Sequence, residues 1–133
     1  MTAHAAGWPE EGFTRNWPKV IEMDGPAVFR FATRVMVDST RRLLDACGLA
    51  IGDVDWFVPH QANIRIIDNA VKRLGADPDR VLMNLERYGN TSAGSIPIAL
   101  DEIVQEKKLD RGDLMLTSGF GAGLNWGTVL WRW

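Results

Sequence analysis

The sequence has little cysteine, no net positive charge and no long apolar run. Its single cysteine, Cys47, excludes an internal disulfide bond and a cysteine-based zinc site. A net charge of −2 argues against a dedicated nucleic-acid-binding protein, which would usually be strongly basic. No apolar run approaches the roughly 20 residues that span a bilayer. The first twelve residues carry Glu10 and Glu11 but no apolar segment typical of a secretory signal. We therefore expect a cytoplasmic protein without membrane or nucleic-acid partners.

The composition is that of a globular chain with its own hydrophobic core. Hydrophobic residues make up 46% of the 133 positions and charged residues 24%, which is typical of one ordinary domain. Residues 1–18 combine proline, glycine and tryptophan without periodicity and predict an irregular N-terminal arm. Residues 19–133 predict a single α/β domain.

Strand-like and helix-like stretches alternate along this domain. The predicted strands span 19–23, 53–58, 81–84, 113–118 and 124–131, and the predicted helices 27–47, 64–74 and 92–108. The order βαβαβαββ predicts a five-stranded mixed sheet with helices on both faces, in which only the last two strands are antiparallel. The first half of the third helix has almost no charge, and we expect it to be buried on both sides.

Two polar side chains follow predicted strands where helices begin. His60 comes directly after the 53–58 strand and Pro59, and Asn90 follows the 81–84 strand. Ligands of open α/β sheets bind at the carboxyl ends of strands, so we expect His60 and Asn90 to act together. The alternatives are a histidine that is merely hydrogen-bonded in a loop, and an asparagine that caps the next helix. Thr91, Ser92 or Ser95 could supply that cap instead.

Other candidate sites are weaker. The only other histidine is His4, and no cysteine lies near His60, so we expect no metal. The glycine-rich segment 119–123 runs from strand to strand and therefore lacks the helix start that a phosphate loop needs. Cys47 ends a predicted helix, where the dipole disfavours a thiolate, and is interpreted as structural. Three cations on the second helix predict either a solvated face or a patch for an acidic partner; they are Arg65, Lys72 and Arg73.

Three segments together resemble the C-terminal half of β-ketoacyl-acyl carrier protein synthase III. They are 58–65 (VPHQANIR), 87–95 (RYGNTSAGS) and 119–127 (GFGAGLNWG), and the likeness runs from about Ile21 to Trp133. The resemblance implies one half of a thiolase-like fold, in which two βαβαβαββ halves pack together. It also implies an acyltransferase of fatty acid biosynthesis that loads an acyl group from coenzyme A onto a cysteine. That group is then condensed with malonyl-acyl carrier protein as CO₂ leaves.

The resemblance also implies roles for individual residues. His60 and Asn90 match the histidine and asparagine that stabilise the enolate formed on decarboxylation, a task for preorganised N–H donors. Ala62 and Asn63 match positions near the pantetheine arm. The segment Phe120, Gly121 and Ala122 matches the loop that lines the acyl-cysteine. Arg65, Lys72 and Arg73 match the helix that docks the acyl carrier protein. Thioesters are substrates here, and no bound cofactor is implied.

One departure from the family limits what this chain does alone. The family's nucleophilic cysteine lies in the N-terminal half, and Cys47 does not match it. We therefore expect the N-terminal half of the synthase, on the same or another chain, to be a partner of this chain. The complete enzyme is expected to be a homodimer. The alternatives are a non-catalytic module that binds carrier protein, and half of a related polyketide-type condensing enzyme.

Overall fold

The computed structural model describes residues 23–133. The predicted arm, residues 1–18, lies outside them, and so does nearly all of the first predicted strand, 19–23. Met23, the only residue of that strand described, is not in a strand. The helices and strands of the described residues are α1 (Gly25–Cys47), β1 (Trp56–Pro59), α2 (Ile64–Leu74), α3 (Leu85–Tyr88), α4 (Ser95–Gln105), β2 (Leu114–Gly121) and β3 (Asn125–Arg132). No helix among these residues is long and apolar enough to cross a membrane.

The first two helices, α1 and α2, have local start and stop signals. The Asp24 carboxylate accepts a hydrogen bond from the backbone N–H of Ala27 and begins α1. The Asn63 side chain does the same for Arg65 at the start of α2. Gly48 and Gly75 end these helices with φ values of 67° and 70°, a left-handed conformation that glycine adopts readily. Cys47 is the last residue of α1 and is exposed, so its side chain is not part of the core.

The sheet is mixed and has three strands in the described residues, not the five that we predicted. Its order is β1-β2-β3. The predicted directions are confirmed: β1 pairs parallel with β2, Trp56 opposite Met115, and β2 pairs antiparallel with β3, Phe120 opposite Trp126. The outer edge of β3 is unpaired within residues 23–133.

The predicted strand at 81–84 is reduced to a single bridge. Val81 pairs in parallel with Phe57, and the Leu82 N–H donates to the Phe57 carbonyl at 2.9 Å. Two residues later the Asn84 N–H donates to the Gln61 side chain instead of to a strand. The side chain takes the place of the ladder partner, and the chain turns into the single turn of α3.

The core lies on both faces of the sheet because side chains alternate along each strand. Phe57 and Leu116 face α1 and α2, where they join the larger cluster with Met36 and Ile67. The opposite face of the strands packs against Ala99 of α4 in a smaller cluster; its strand residues are Val58 and Met115.

The outward side of α4 is open within residues 23–133, whereas the burial on both sides that we expected concerns the complete two-half fold. Pro97, Asp101 and Val104 follow helical spacing and are exposed, whereas Ser95, Ala99 and Ile103 are buried against the sheet. Within residues 23–133 no element covers that outer stripe. The described residues therefore leave one side of α4 accessible, including the apolar Pro97 and Val104.

Candidate active site

His60 lies at the carboxyl end of β1, beside the end of β2. Its backbone N–H donates to the Ser118 carbonyl at 2.8 Å, which extends the parallel pairing by one residue. This contact brings the Phe120 ring edge-on to the imidazole, with centroids 5.3 Å apart and planes at 70°. Gly119 leaves room beside His60: a Cβ there would lie 3.9 Å from the His60 Cβ. The strand edge thus places two of the predicted site residues, His60 and Phe120, in contact.

The His60 imidazole is half-buried and hydrogen-bonded on one nitrogen. Its Nδ1 lies 2.6 Å from the Ser95 hydroxyl oxygen. Burial lowers the pKa of His60 from its usual value, because a desolvated imidazole favours the uncharged form. The lowered pKa favours the neutral ring, which can donate a hydrogen bond without a buried net charge. Sequence reasoning considered Ser95 only as a possible helix cap and missed this contact.

Gln61 is fully buried and holds the end of β1 in place. Its amide NH₂ donates to the carbonyls of Pro59 and Leu82 at 2.8 and 3.0 Å. Its amide oxygen accepts the Asn84 N–H at 3.1 Å. A lone glutamine gives no signal that its amide will replace a strand partner.

Asn90 is exposed and lies just ahead of the turn that leads into α4. Its side-chain oxygen accepts the Ser92 N–H at 2.9 Å in an Asx turn, and neither the 92–94 turn nor α4 is capped by a side chain. This bond uses the oxygen and fixes the amide plane. Within residues 23–133 the Nδ2 group makes no hydrogen bond. The Asn90 side chain therefore does not cap a helix, and the Asx turn orients an amide whose N–H groups stay available.

A carboxylate on α4 anchors the segment that leads to Asn90. Glu102 accepts from the Asn84 side chain at 2.9 Å and forms an ion pair with Arg87, also at 2.9 Å. Burial alone would raise the pKa of Glu102, but the hydrogen bonds from Asn84, Tyr88 and Arg87 outweigh it and lower the pKa. α3 is consequently tied to α4, and Asn90 follows α3 by two residues.

The strand before the glycine-rich turn is longer than predicted, because β2 ends at Gly121 and not at residue 118. β2 continues through Phe120 and Gly121, which pair with Trp126 and Asn125, and only then does the chain turn. Ala122 begins that turn and is exposed, and its carbonyl accepts from the Asn125 side chain at 3.1 Å. Gly123 has a φ of 74°, which closes the hairpin. The residues predicted to line the acyl group therefore lie in and just beyond the strand end beside His60.

The residues predicted for pantetheine and carrier-protein contacts lie on and before α2. Ala62 is half-buried, and Asn63 is the exposed cap of α2. Arg65 and Lys72 are exposed. The guanidinium of Arg73 instead donates to the Thr33 carbonyl of α1 at 3.2 Å. Arg73 therefore joins two helices and is only partly available to a partner.

The two cavities found in the described part of the chain lie away from His60 and Asn90. One, of about 250 Å³, is bordered by Phe57 and Arg80, and the other, of about 340 Å³, by Lys72 and Met83. Both border the turn at Gly75 and Ala76. Neither cavity is lined by His60 or Asn90. No cluster of three His, Cys, Asp or Glu side chains in those residues could hold a metal ion.

The curated proteins to which this chain is most similar share one name. A β-ketoacyl-[acyl-carrier-protein] synthase III from Symbiobacterium thermophilum is 54% identical over 113 residues, which cover 85% of this chain and 34% of the relative. The chloroplastic enzyme of that name from Arabidopsis thaliana is 50% identical and is covered to 28%. The chain thus spans about a third of the length of the curated relatives that it matches.

Solved structures agree with the sequence matches. The 3-oxoacyl-[acyl-carrier-protein] synthase III of Aquifex aeolicus superposes with a TM-score of 0.82 at 44% identity, over 85% of this chain and 37% of that one. The priming β-ketosynthase of the R1128 polyketide pathway gives 0.78 at 43%, over 84% and 34%. The sequence profile of the family described as 3-oxoacyl-[acyl-carrier-protein (ACP)] synthase III C terminal matches residues 44–133. This chain belongs to that family, and its fold is α/β and thiolase-like.

Proposed function

We propose that this chain is the C-terminal part of a β-ketoacyl-acyl carrier protein synthase III. The complete enzyme condenses an acyl-coenzyme A primer with malonyl-acyl carrier protein by decarboxylative Claisen condensation. The observation that carries the proposal is the family match over residues 44–133, which contains His60, Asn90 and the 119–123 segment. The reaction belongs to fatty acid biosynthesis in the cytoplasm.

In the proposed reaction, His60 and Asn90 are the two N–H donors to the enolate. Loss of CO₂ from the malonyl thioester leaves negative charge on the thioester oxygen, and donors already in position stabilise that charge as it develops. A neutral imidazole and an amide do this without burying a net charge. The support in the structure is the lowered pKa of His60 and the fixed amide plane of Asn90.

The proposed partner is the N-terminal half of the synthase, which supplies the nucleophilic cysteine. Two features support a further polypeptide against this chain. The β3 edge is unpaired within residues 23–133, and its exposed Trp126 and Val129 border it. The outer stripe of α4 is also uncovered, with Val104 38% exposed. The complete enzyme is proposed to be a homodimer.

The remaining predicted site residues have secondary roles. Ala62 and Asn63 lie beside the pantetheine arm, and the strand end Phe120 to Ala122 lines the acyl group. The exposed Arg65 and Lys72 dock the acidic carrier protein, with a smaller share for Arg73. The substrates are thioesters, and no cofactor or metal takes part.

Complementation tests this proposal. The chain is combined with the N-terminal part of a synthase III, and cysteine acylation by acyl-coenzyme A is measured separately from CO₂ release from malonyl-carrier protein. His60→Ala and Asn90→Ala should each lower CO₂ release by about 10²–10³-fold and leave acylation nearly unchanged. Arg34→Ala, an exposed α1 position, is the control. Equal loss in both steps would reject the enolate role, and ketoacyl product from the isolated chain would reject the need for a partner.

A second function has specific support. The priming β-ketosynthase of a polyketide pathway is 43% identical, close to the 44% of the Aquifex synthase. In that case the chemistry of His60 and Asn90 is the same, and the carrier protein belongs to a polyketide pathway. Comparing fatty-acid and polyketide carrier proteins in the complemented assay separates the two. A non-catalytic module would bind carrier protein but release no CO₂ with either.

A further inference from the structure

Ser95 contacts the site histidine from the first residue of α4. Its side chain is almost fully buried, with 2% of the residue exposed. The hydroxyl oxygen lies 2.6 Å from the His60 Nδ1 and 3.2 Å from the Gln61 backbone nitrogen. One hydroxyl thus contacts both the ring and the backbone that follows it.

Counting protons at this hydroxyl distinguishes the two neutral tautomers of His60, protonated on Nε2 or on Nδ1. The Gln61 N–H is a donor only, so the Ser95 oxygen accepts there with one lone pair. The single hydroxyl proton then needs an acceptor, because a buried O–H without a partner is costly. Within the described residues, the acceptor within hydrogen-bonding distance is the His60 Nδ1. If Nδ1 carried a proton instead, the hydroxyl proton would have no partner among those residues.

We propose that Ser95 is a positioning residue that donates its hydroxyl proton to Nδ1 of His60 and so keeps the imidazole in the tautomer protonated on Nε2. In that tautomer the nitrogen not bonded to Ser95 carries the N–H. The opposite tautomer would present a lone pair there, which repels an enolate oxygen. This inference rests on the proposed function for its catalytic consequence, but the tautomer itself is a property of this chain.

Nitrogen NMR of the isotope-labelled chain tests the tautomer without substrate. The sequence has two histidines, so a His4→Gln variant assigns the His60 ring. The ring nitrogen shifts of the neutral form should show His60 protonated on Nε2 alone. Ser95→Ala should give a mixture of both tautomers, and Ser95→Thr, which keeps the hydroxyl, should restore one. Ser39→Ala is the matched control, because it removes a hydroxyl bonded to Thr128 and not to His60.

Each outcome decides the inference. A His60 ring protonated on Nδ1 in the chain with Ser95 intact would overturn it, and this measurement needs no substitution at Ser95. A Ser95→Ala spectrum that keeps the single Nε2 tautomer would overturn it as well. In the complemented enzyme, Ser95→Ala should lower CO₂ release about tenfold, the size expected for one hydrogen bond, with acylation unchanged. If His60→Ala leaves CO₂ release intact, the proposed function fails while the tautomer result stands.

Discussion

Replacing Gln61 by methionine should destabilise the chain strongly, although the shape of the side chain is nearly kept. Methionine cannot replace the amide, so the carbonyls of Pro59 and Leu82 and the N–H of Asn84 lose their partner. Each fully buried group left unsatisfied costs about 1–3 kcal/mol. Pro59 and Asn84 are buried and Leu82 is partly buried, so we expect a loss of about 3 kcal/mol. Small domains have only about 5–15 kcal/mol in total.

Urea unfolding followed by tryptophan fluorescence measures this loss. Gln105→Met is the matched control, because Gln105 is exposed at the end of α4 and makes no side-chain hydrogen bond within residues 23–133. The control should unfold within about 0.5 kcal/mol of wild type. A Gln61→Met chain that loses less than about 1 kcal/mol, with an unchanged urea slope, would refute the argument that Gln61 replaces a strand partner.

Three further predictions test electrostatics, backbone conformation and docking. Burial lowers the folded pKa of His60 below its unfolded value of about 6.5, so the unfolded chain binds more protons in that pH range. The free energy of unfolding should therefore fall as pH decreases through 6.5. The unfolding midpoints of His60→Gln should lack this part of the pH dependence. Gly48→Ala should cost about 1–2 kcal/mol by thermal unfolding because φ is 67°, whereas Gly52→Ala, without positive φ, should cost much less. Arg65→Glu with Lys72→Glu should raise the KM for malonyl-carrier protein but not for acyl-coenzyme A; an equal rise after Arg34→Glu would contradict a local docking patch.

Helix limits were predictable where capping residues in the sequence set them, and not where unusual backbone conformations did. The prediction of 64–74 coincides with α2, where Asn63 and Gly75 supply both caps. α4 is shorter than predicted for local backbone reasons: a turn precedes it in which Ser92 has a φ of 52°, and Lys107, with a φ of 54°, follows its end. Periodicity does not report such conformations.

The third predicted strand failed because it depends on a distant side chain. An apolar run at 81–84 has the composition of a strand, but the Gln61 side chain replaces its ladder partner after one bridge. The nearly uncharged first half of α4 indicates burial in sequence, and what would cover its outer side is not among the described residues.

The candidate site was predictable as a set of residues and not as a set of bonds. The resemblance selected His60, Asn90 and Phe120, and the structure brings His60 and Phe120 into contact. The hydrogen bonds by which Ser95 and Gln61 hold His60 and the end of β1 were not predicted. A hydroxyl or amide of this kind gains its role from the tertiary contact, which no spacing in the sequence encodes.

The pairing of β1 with β2 also has a consequence for how quickly the site forms. Asp55 and Leu114 bond to each other across the pair although they are 59 positions apart, and all of α2, α3 and α4 lies between them. Parallel contacts of such separation form slowly, after the loop-closure entropy has been lost. His60 takes its backbone partner from β2, so we expect it to be positioned late in folding. When the complemented enzyme refolds, activity should therefore lag behind helix formation, with the register of one parallel strand pair as the limiting event.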